Sequence, residues 1–514
     1  MSRAIVLCLL LAACGSSETR YAPATLESFG LTRSIALIDR NEHEVILLEA
    51  APEQRLASKT IAVGKNISRA LMSADARFLF VLSAGDSPRR KASDERPSLT
   101  VIDGETLAIV LRYELPILRD KLVLDPRGRY VALFAGDSTS AVVDNPNEIV
   151  LLDLAAEPSD ANPLVHTLRS FGGRPQRFTF TDPLELPGGT RRLLVAETEK
   201  DVAILDLERM AGSKGEITVR LDLPSANASL APNGLIADDG EAGRDDDARL
   251  AVRIKGDSAV LVLDLVANAA GDLTARTNLV DVGGEPSEIS FVTTDGGRRM
   301  VALVPAMKHA ALVTLATTAV QTMPLPAAYD RLAFVEEASQ PTPRSALLWG
   351  QGVALWSLDL ATGRPFASVE SLALPGKIKE VRDLPGAPNQ KLLIGDQNSF
   401  FVLDLRDRTV APLLTQSNAL QYYLPRDVRR LWAFQPAQAR AARVNLDTLQ
   451  AKSLVFDRNV HAMYELTYID GDREGRALIA LHGEGTVGAT VLDPAIADEA
   501  DARVYFGLMI GGVK

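Results

Sequence analysis

The chain has 514 residues, 46% hydrophobic and 24% charged, a balance that excludes a disordered chain, a collagen and a protein of many membrane spans. Its 55 Lys and Arg against 66 Asp and Glu leave a formal charge of -11, which argues against a general electrostatic affinity for nucleic acid or anionic lipid. Length alone suggests about three domains, but an internal repeat overrides that prior.

The first element is a leader. Arg3 precedes an unbroken apolar run from Ala4 to Ala13, the charged start and short apolar middle of an export signal. The run cannot cross a bilayer, which takes about 20 residues. It ends Leu11-Ala12-Ala13-Cys14, a quartet that resembles the lipobox of bacterial lipoproteins. The resemblance implies that residues 1–13 are a signal peptide, that the Cys14 sulfur is lipidated with diacylglycerol, and that its new amine takes an acyl chain such as palmitate. Three chains would anchor the protein stably, since each buried methylene contributes about 0.8 kcal/mol. Residues 14–33 are then a lipidated N-terminus and short tether, and the membrane is a partner through the anchor. Gly15 follows the cysteine where a retention signal would place Asp, which favours the outer membrane of a bacterial cell envelope. Cys8 and Cys14 are the only cysteines, so the body has no disulfide, thiolate metal site or cysteine nucleophile, and core burial must hold it together.

From Ser34 onward the chain returns to a β-rich run ending in a hydrophobic residue and Asp. The runs are Ala36-Leu37-Ile38-Asp39, Thr100-Val101-Ile102-Asp103, Val150-Leu151-Leu152-Asp153, Ala203-Ile204-Leu205-Asp206 and Leu261-Val262-Leu263-Asp264. Ala311-Leu312-Val313-Thr314 lacks the acid; Trp356 to Asp359, Phe401 to Asp404, Val444 to Asp447 and Thr490 to Asp493 complete the series. Most intervals fall in the range of propeller blades, about 40–50 residues. Ahead of these runs stands a turn-forming acid or glycine, a basic residue and an apolar strand, as in Asp75-Ala76-Arg77-Phe78 and Asp125-Pro126-Arg127-Gly128-Arg129-Tyr130. Asp, Asn and Gly make the tight turn and the next strand begins at once, so each unit reads as repeated hairpins. Four short antiparallel strands cannot bury both faces alone, but a radial arrangement lets one sheet cover the next. Helical periodicity is nearly absent, with Pro436 to Ala442 the best short candidate.

The body resembles the bacterial propellers with a repeated tyrosine-valine-threonine-asparagine-like motif. The matching pieces are Gly283-Gly284-Glu285-Pro286 with Ile289 and Asp295-Gly296, together with Val101-Ile102-Asp103 and Gly172-Gly173-Arg174-Pro175. The expected fold is all-β, with residues 34–514 forming a single β-propeller of about eight four-stranded blades; seven or nine are the alternatives, and two tandem propellers the runner-up. The stretch from Thr179 to Leu186 and the acidic loop are expected to distort the repeat. Ser34 to Asp39 is expected to complete the sheet of the final segment, Ala502 to Ile510, and so close the ring.

Candidate sites are few. The acidic run Asp238 to Asp247 offers oxygen ligands of the kind calcium takes, but not in EF-hand order, and reads as a solvated loop. His43, His166, His309, His461 and His482 lie in five separate stretches with no paired-ligand motif; His482, flanked by Gly483 and Gly485, is the most suggestive. The repeated aspartates read as turn caps. Trp349 and Trp356 read as packing residues. Asn66-Ile67-Ser68 and Asn227-Ala228-Ser229 match the glycosylation pattern, which a bacterial lipoprotein would not normally use. Nucleophile elbow, phosphate loop, dinucleotide fingerprint and the Trp-Asp pairs of a WD40 array are missing. The reading therefore assigns Cys14 as lipidation site and no catalytic, cofactor-binding or metal residue. It expects a non-enzymatic binding or scaffolding protein whose rim engages a protein or glycan and not nucleic acid, the alternative being a lactonase- or hydrolase-type propeller with an axial site.

Overall fold

The computed structural model describes residues 27–508 apart from 87–88, 137–142, 144, 157–158, 160–161, 170–173, 187–188, 211–214, 222–230, 239–247, 269–270, 295–296, 336–344, 351–354, 361–363, 366–376, 397–398, 408, 414, 416–420, 437, 484–486 and 496–501. Among them the chain forms ten four-stranded antiparallel sheets and one two-stranded hairpin. The sheets span 27–62, 67–114, 121–167, 175–220, 232–281, 288–324, 331–365, 378–413, 421–460 and 462–505, and are blades 1 to 10. In every blade the four strands follow one another in chain order, except that the hairpin Leu184–Leu186 with Gly189–Arg191 is inserted after the first strand of blade 4. That insertion falls in the stretch expected to distort the repeat.

Burial explains the apolar runs. The second strand of blade 2, Phe78–Ser83, and its third, Ser98–Asp103, are flanked by a neighbouring sheet on each face, so nearly every side chain is buried. The fourth strand, Ala108–Glu114, lies at the outer edge and exposes most of its residues. First strands of successive blades touch one another and form the inner wall, as Ile67–Met72 touches Lys121–Leu124 and Pro232–Asp238 touches Glu288–Thr294.

Each gap between blades is filled by a separate apolar cluster, and the clusters follow one another round a ring. Leu79, Val81 and Ile102 of blade 2 meet Ile38, Val45 and Leu47 of blade 1; Leu82 and Leu99 meet Val131 and Leu133 of blade 3. The pattern continues through blades 4 to 10. The last cluster packs Leu466, Ile479, Leu481 and Val491 of blade 10 on Ile35, Leu37, Ile46 and Leu48 of blade 1. Tandem rings would seal blade 1 against a blade near mid-chain; instead the first and last blades meet, and the molecule is one propeller.

Three expectations are corrected. The blades number ten rather than about eight, because the ten runs, Ala311 to Thr314 included, mark one unit each and none is an insertion. Blade 1 begins at Glu27, inside the stretch expected as tether: Glu27–Gly30 pairs with Ser34–Asp39 and Phe29 packs into the core. Ser34–Asp39 stays in blade 1, and the final strand, Arg503–Tyr505, belongs to blade 10. Side-chain packing therefore closes the ring, aided by the Tyr464 hydroxyl donating to the Ser28 carbonyl at 3.1 Å and that of Tyr505 donating to the Gln54 carbonyl at 3.0 Å. The best helical candidate of the sequence, Pro436 to Ala442, falls largely in the strand Gln438–Asn445, whose Ala441, Ala442 and Val444 are buried between sheets. No described helix is long and apolar enough to cross a membrane.

Candidate functional site

The ring has two rims. On the lower rim lie the turns joining first to second and third to fourth strands; on the upper rim lie the loops joining second to third strands and the crossings between blades. The repeated aspartates belong to the lower rim, at the ends of third strands. Asp103 Oδ1 accepts from the Glu105 and Thr106 amides at 2.7 and 3.3 Å, while its Oδ2 accepts from Arg77 Nη2 at 3.1 Å. Arg129 with Asp153, Arg191 with Asp206 and Arg249 with Asp264 repeat the arrangement at 3.2, 2.6 and 2.7 Å. Asp103, Asp153 and Asp206 each cap a turn and lock it to an arginine ahead of the second strand, whereas Asp264, inside the longer strand Ala259–Ala267, is held by Arg249 and the Asn278 side-chain amide. Asp39 differs: it ends a second strand and caps an upper-rim loop through the Asn41 and Glu42 amides.

A further group of charges lies on the upper rim of blades 4 to 7. Arg177 on the first strand of blade 4, Pro175–Phe180, stands directly opposite Glu197 on its second strand, Leu193–Thr198. The Glu197 side chain is 4% exposed, and its Oε1 lies 3.7 Å from Arg177 Nη1, too far for a hydrogen bond. Oε1 is buried without a hydrogen-bond partner. Glu197 Oε2 accepts from the Gly234 amide of blade 5 at 2.9 Å. Gly234 sits in a bulge of Pro232–Asp238 with φ +122°, a conformation that strains any residue with a Cβ, and the Arg253 guanidinium packs close against it. Arg253 in turn donates from Nη1 to the Pro286 carbonyl at 3.2 Å and to that of Ser287. Glu288 Oε2 accepts from the Leu332 amide at 3.3 Å and lies 3.9 Å from Arg331 Nη1. Burial pushes the Glu288 carboxyl above its usual range, and Arg253 feels Arg177, Arg331, Glu197 and Glu288 together. Similar bulges near the starts of first strands in blades 2, 4 and 8 turn further side chains at this rim.

Sequence reasoning singled out none of these residues, although a signal existed. Glu197 is an ionisable residue inside an otherwise apolar run, Leu193-Leu194-Val195-Ala196, and such a residue is almost never fully buried unless paired. Gly283-Gly284-Glu285-Pro286, noted only for family likeness, supplies the Pro286 carbonyl that receives Arg253.

The residues that the sequence did single out are dispersed. The His43 ring accepts from the Asn66 amide at 3.2 Å, His166 Nε2 meets Glu216 at 2.8 Å and His309 Nε2 meets the Val282 carbonyl at 2.8 Å. His461 packs near Gly483. His482 is 2% exposed, with Nδ1 3.0 Å from the Asn459 carbonyl and Nε2 2.7 Å from Thr490 Oγ1. Burial holds its pKa below the ordinary imidazole value. It borders a 270 Å³ cavity with Asp457, Arg458 and Asn459. A second cavity, of 450 Å³, opens on the lower rim between Arg33, Glu105 and the Ile469 to Glu474 hairpin. Among the described residues no three or more His, Cys, Asp or Glu converge as a metal cluster. Of the acidic run only Asp238 is described; it is buried and paired with Arg298, and the rest lies outside the described residues. Cys14 and Asn227 also lie outside them. Trp349 and Trp356 pack on opposite faces of blade 7, as expected, and both indole nitrogens are buried without a partner.

No family model and no curated protein matches the chain. Solved structures similar to it include a dihydro-heme d1 dehydrogenase, NirN, 13% identical over 76% of this chain and 75% of that one, with a TM-score of 0.38. A eukaryotic initiation factor is 11% identical over 91% of this chain and 93% of that one, with a TM-score of 0.46. AztD from Citrobacter koseri is 12% identical over 74% and 96%, with a TM-score of 0.36. Neighbours this distant and this varied transfer no activity to the chain.

Proposed function

We propose that the chain is a lipid-anchored protein of the bacterial cell envelope, held through Cys14 to a membrane, the outer one favoured, and that it acts as a non-enzymatic binding or scaffolding propeller. Its partner, a protein or glycan, is engaged by the upper rim. The observation that carries this reading is the cluster of Arg177, Glu197, Arg253, Glu288 and Arg331, which spans four blades. Strands of a closed ring hold these charges, so their spacing is fixed before a partner arrives. The anchor rests on the leader, Leu11-Ala12-Ala13-Cys14.

Two measurements test the two halves. Cys14→Ala moves the protein from the membrane to the soluble fraction; unchanged fractionation contradicts the anchor. Crosslinking in intact cells followed by mass spectrometry places a recurrent envelope partner on upper-rim peptides of blades 4 to 7. Crosslinks scattered evenly over both rims contradict the binding role.

A further inference from the structure

The direction of the chain fixes where the tether leaves the ring. Blade 1 opens with Glu27–Gly30, and the turn that follows lies on the lower rim, so Glu27 stands at the upper rim on the inner wall. Only 12 residues separate it from Cys14, a reach of at most about 45 Å when fully extended. The upper side of blades 1 and 2 therefore stays close to whatever holds Cys14.

Hydrogen bonds tie this exit to a basic loop. The Glu27 carboxylate pairs with Arg40 at 2.6 Å, Arg40 Nη1 donates to the Ile67 carbonyl, and the adjoining Asn66 side-chain amide donates to the Gly85 carbonyl at 2.9 Å. Gly85 lies at the base of the loop over residues 84–97, which joins the second and third strands of blade 2. That loop has 14 residues, where the matching loop of blade 1, residues 40–43, has 4. The Asp86 amide closes its base by donating to the Glu95 carbonyl at 2.9 Å, and Asp94 shapes its tip by accepting from the Arg90 and Lys91 amides at 2.7 and 2.8 Å. The other charges of the loop are answered: Asp86 by Lys65 at 3.0 Å, Glu95 by Arg112 at 3.1 Å and Arg96 by Glu114 at 3.7 Å. Arg89, Arg90 and Lys91 are exposed, and among the described residues their cationic groups have no partner. Set against Asp94 alone, they give the tip two positive charges in excess.

We infer that the tip Arg89-Arg90-Lys91 is the protein's contact with anionic phospholipid headgroups, and that it holds the ring with the upper side of blades 1 and 2 toward the membrane. Resting on the anchor proposed above, this contact adds the face that meets the lipid. The anchor supplies residence and the tip supplies orientation, since solvated cations near an anionic surface are attracted without a preformed pocket. The overall charge of -11 does not oppose this, because screening confines such forces to about 8–10 Å and the charges nearest the surface decide. Blades 6 and 7 lie across the ring from the contact, which leaves their upper rim open to a partner.

The test uses the full-length lipidated protein, whose only cysteines are Cys8 and Cys14. A fluorophore is placed either beside the tip, at Ser93→Cys, or on the lower rim of blade 10, at Asp472→Cys, both exposed positions. The protein is reconstituted into vesicles of phosphatidylcholine alone or with phosphatidylglycerol as about a third of the lipid, and quenching by spin-labelled headgroups reads the distance to the surface. The Ser93→Cys label is quenched and the Asp472→Cys label is not. Phosphatidylglycerol deepens the quenching beside the tip, and Arg89→Ala with Arg90→Ala and Lys91→Ala removes that gain, as does salt near about 1 M. Arg89→Lys with Arg90→Lys keeps the gain, because a headgroup surface reads charge and not the guanidinium fork. Deeper quenching on the lower rim, no response to phosphatidylglycerol, a response that survives the triple alanine variant, or one lost on the lysine exchange overturns the inference. A protein that floats with the vesicles yet behaves in one of these ways loses only the contact face; one that floats with neither vesicle loses the anchor as well.

Discussion

At the scale of single residues, buried charge is tolerated where several donors converge. Glu465 has a fully buried side chain on the inner strand of blade 10, yet it accepts from Trp432 Nε1 at 2.9 Å and from Arg430 Nη1 at 3.0 Å, with Arg476 Nη1 3.5 Å away. Removing the carboxylate strands those donors between blades 9 and 10. Glu465→Ala should therefore lower unfolding free energy by about 3 kcal/mol in a denaturant titration, the scale of breaking a buried pair; a loss below about 1 kcal/mol, ordinary for a surface change, would show that water replaces the donors. His482 gives a pH signature. Its Nδ1 faces a carbonyl and so carries the proton, which leaves Nε2 to accept from Thr490. Burial depresses the folded pKa, so below the unfolded value of about 6.5 the unfolded chain binds more protons. Stability from this group is complete above that pH and declines as the pH falls toward the folded value. Denaturant midpoints measured from pH 7.5 to 5 should fall less steeply in His482→Gln than in the parent, and equal slopes would refute the assignment.

At the scale of the element, the lower-rim turn is the repeated device. Asp103→Ala removes both the turn cap and the Arg77 partner and should cost about 1–2 kcal/mol, whereas Asp103→Asn keeps the acceptor for the turn amides and should recover most of that. Equal losses would mean that the ion pair, not the cap, matters. Blade 6 shows the device incomplete: Thr314 stands opposite Arg299 where other blades carry the acid, and Arg299 Nε is buried without a partner. Thr314→Asp should raise the melting temperature, by up to about 1 kcal/mol in free energy; a fall would show that the site has no room for the carboxylate. Strands and turns were legible because the apolar run recurs in every blade and the acid-capped turn in several of them. The stretch from Pro436 to Ala442 stayed ambiguous because its alanines suit a helix as readily as a strand, and only packing between sheets decides. The upper-rim cluster stayed hidden because its charges come from four blades and adjoin only after the ring closes; Glu197, a lone acid in a buried run, was the single clue within one element.

At the scale of the whole molecule, the number of blades was present in the sequence as ten runs, nine of them ending in Asp. The customary ceiling of about eight blades pulled the count down. Closure was also misjudged, since strand exchange between the termini was expected and the seam between blades 10 and 1 proves to be side-chain packing around Leu37, Leu48, Ile479 and Leu481. On the lower rim Arg426 of blade 9 reaches across this seam to the Ala74 carbonyl of blade 2 at 2.6 Å, tying both flanks of the join together. An uninterrupted ring is what holds Arg177 and Arg331, on blades 4 and 7, at a fixed separation. End-on class averages from electron cryo-microscopy test this most directly. They should show one closed ring of ten radial sheets around a central channel, and an open arc, two smaller rings or a different number of blades would contradict it.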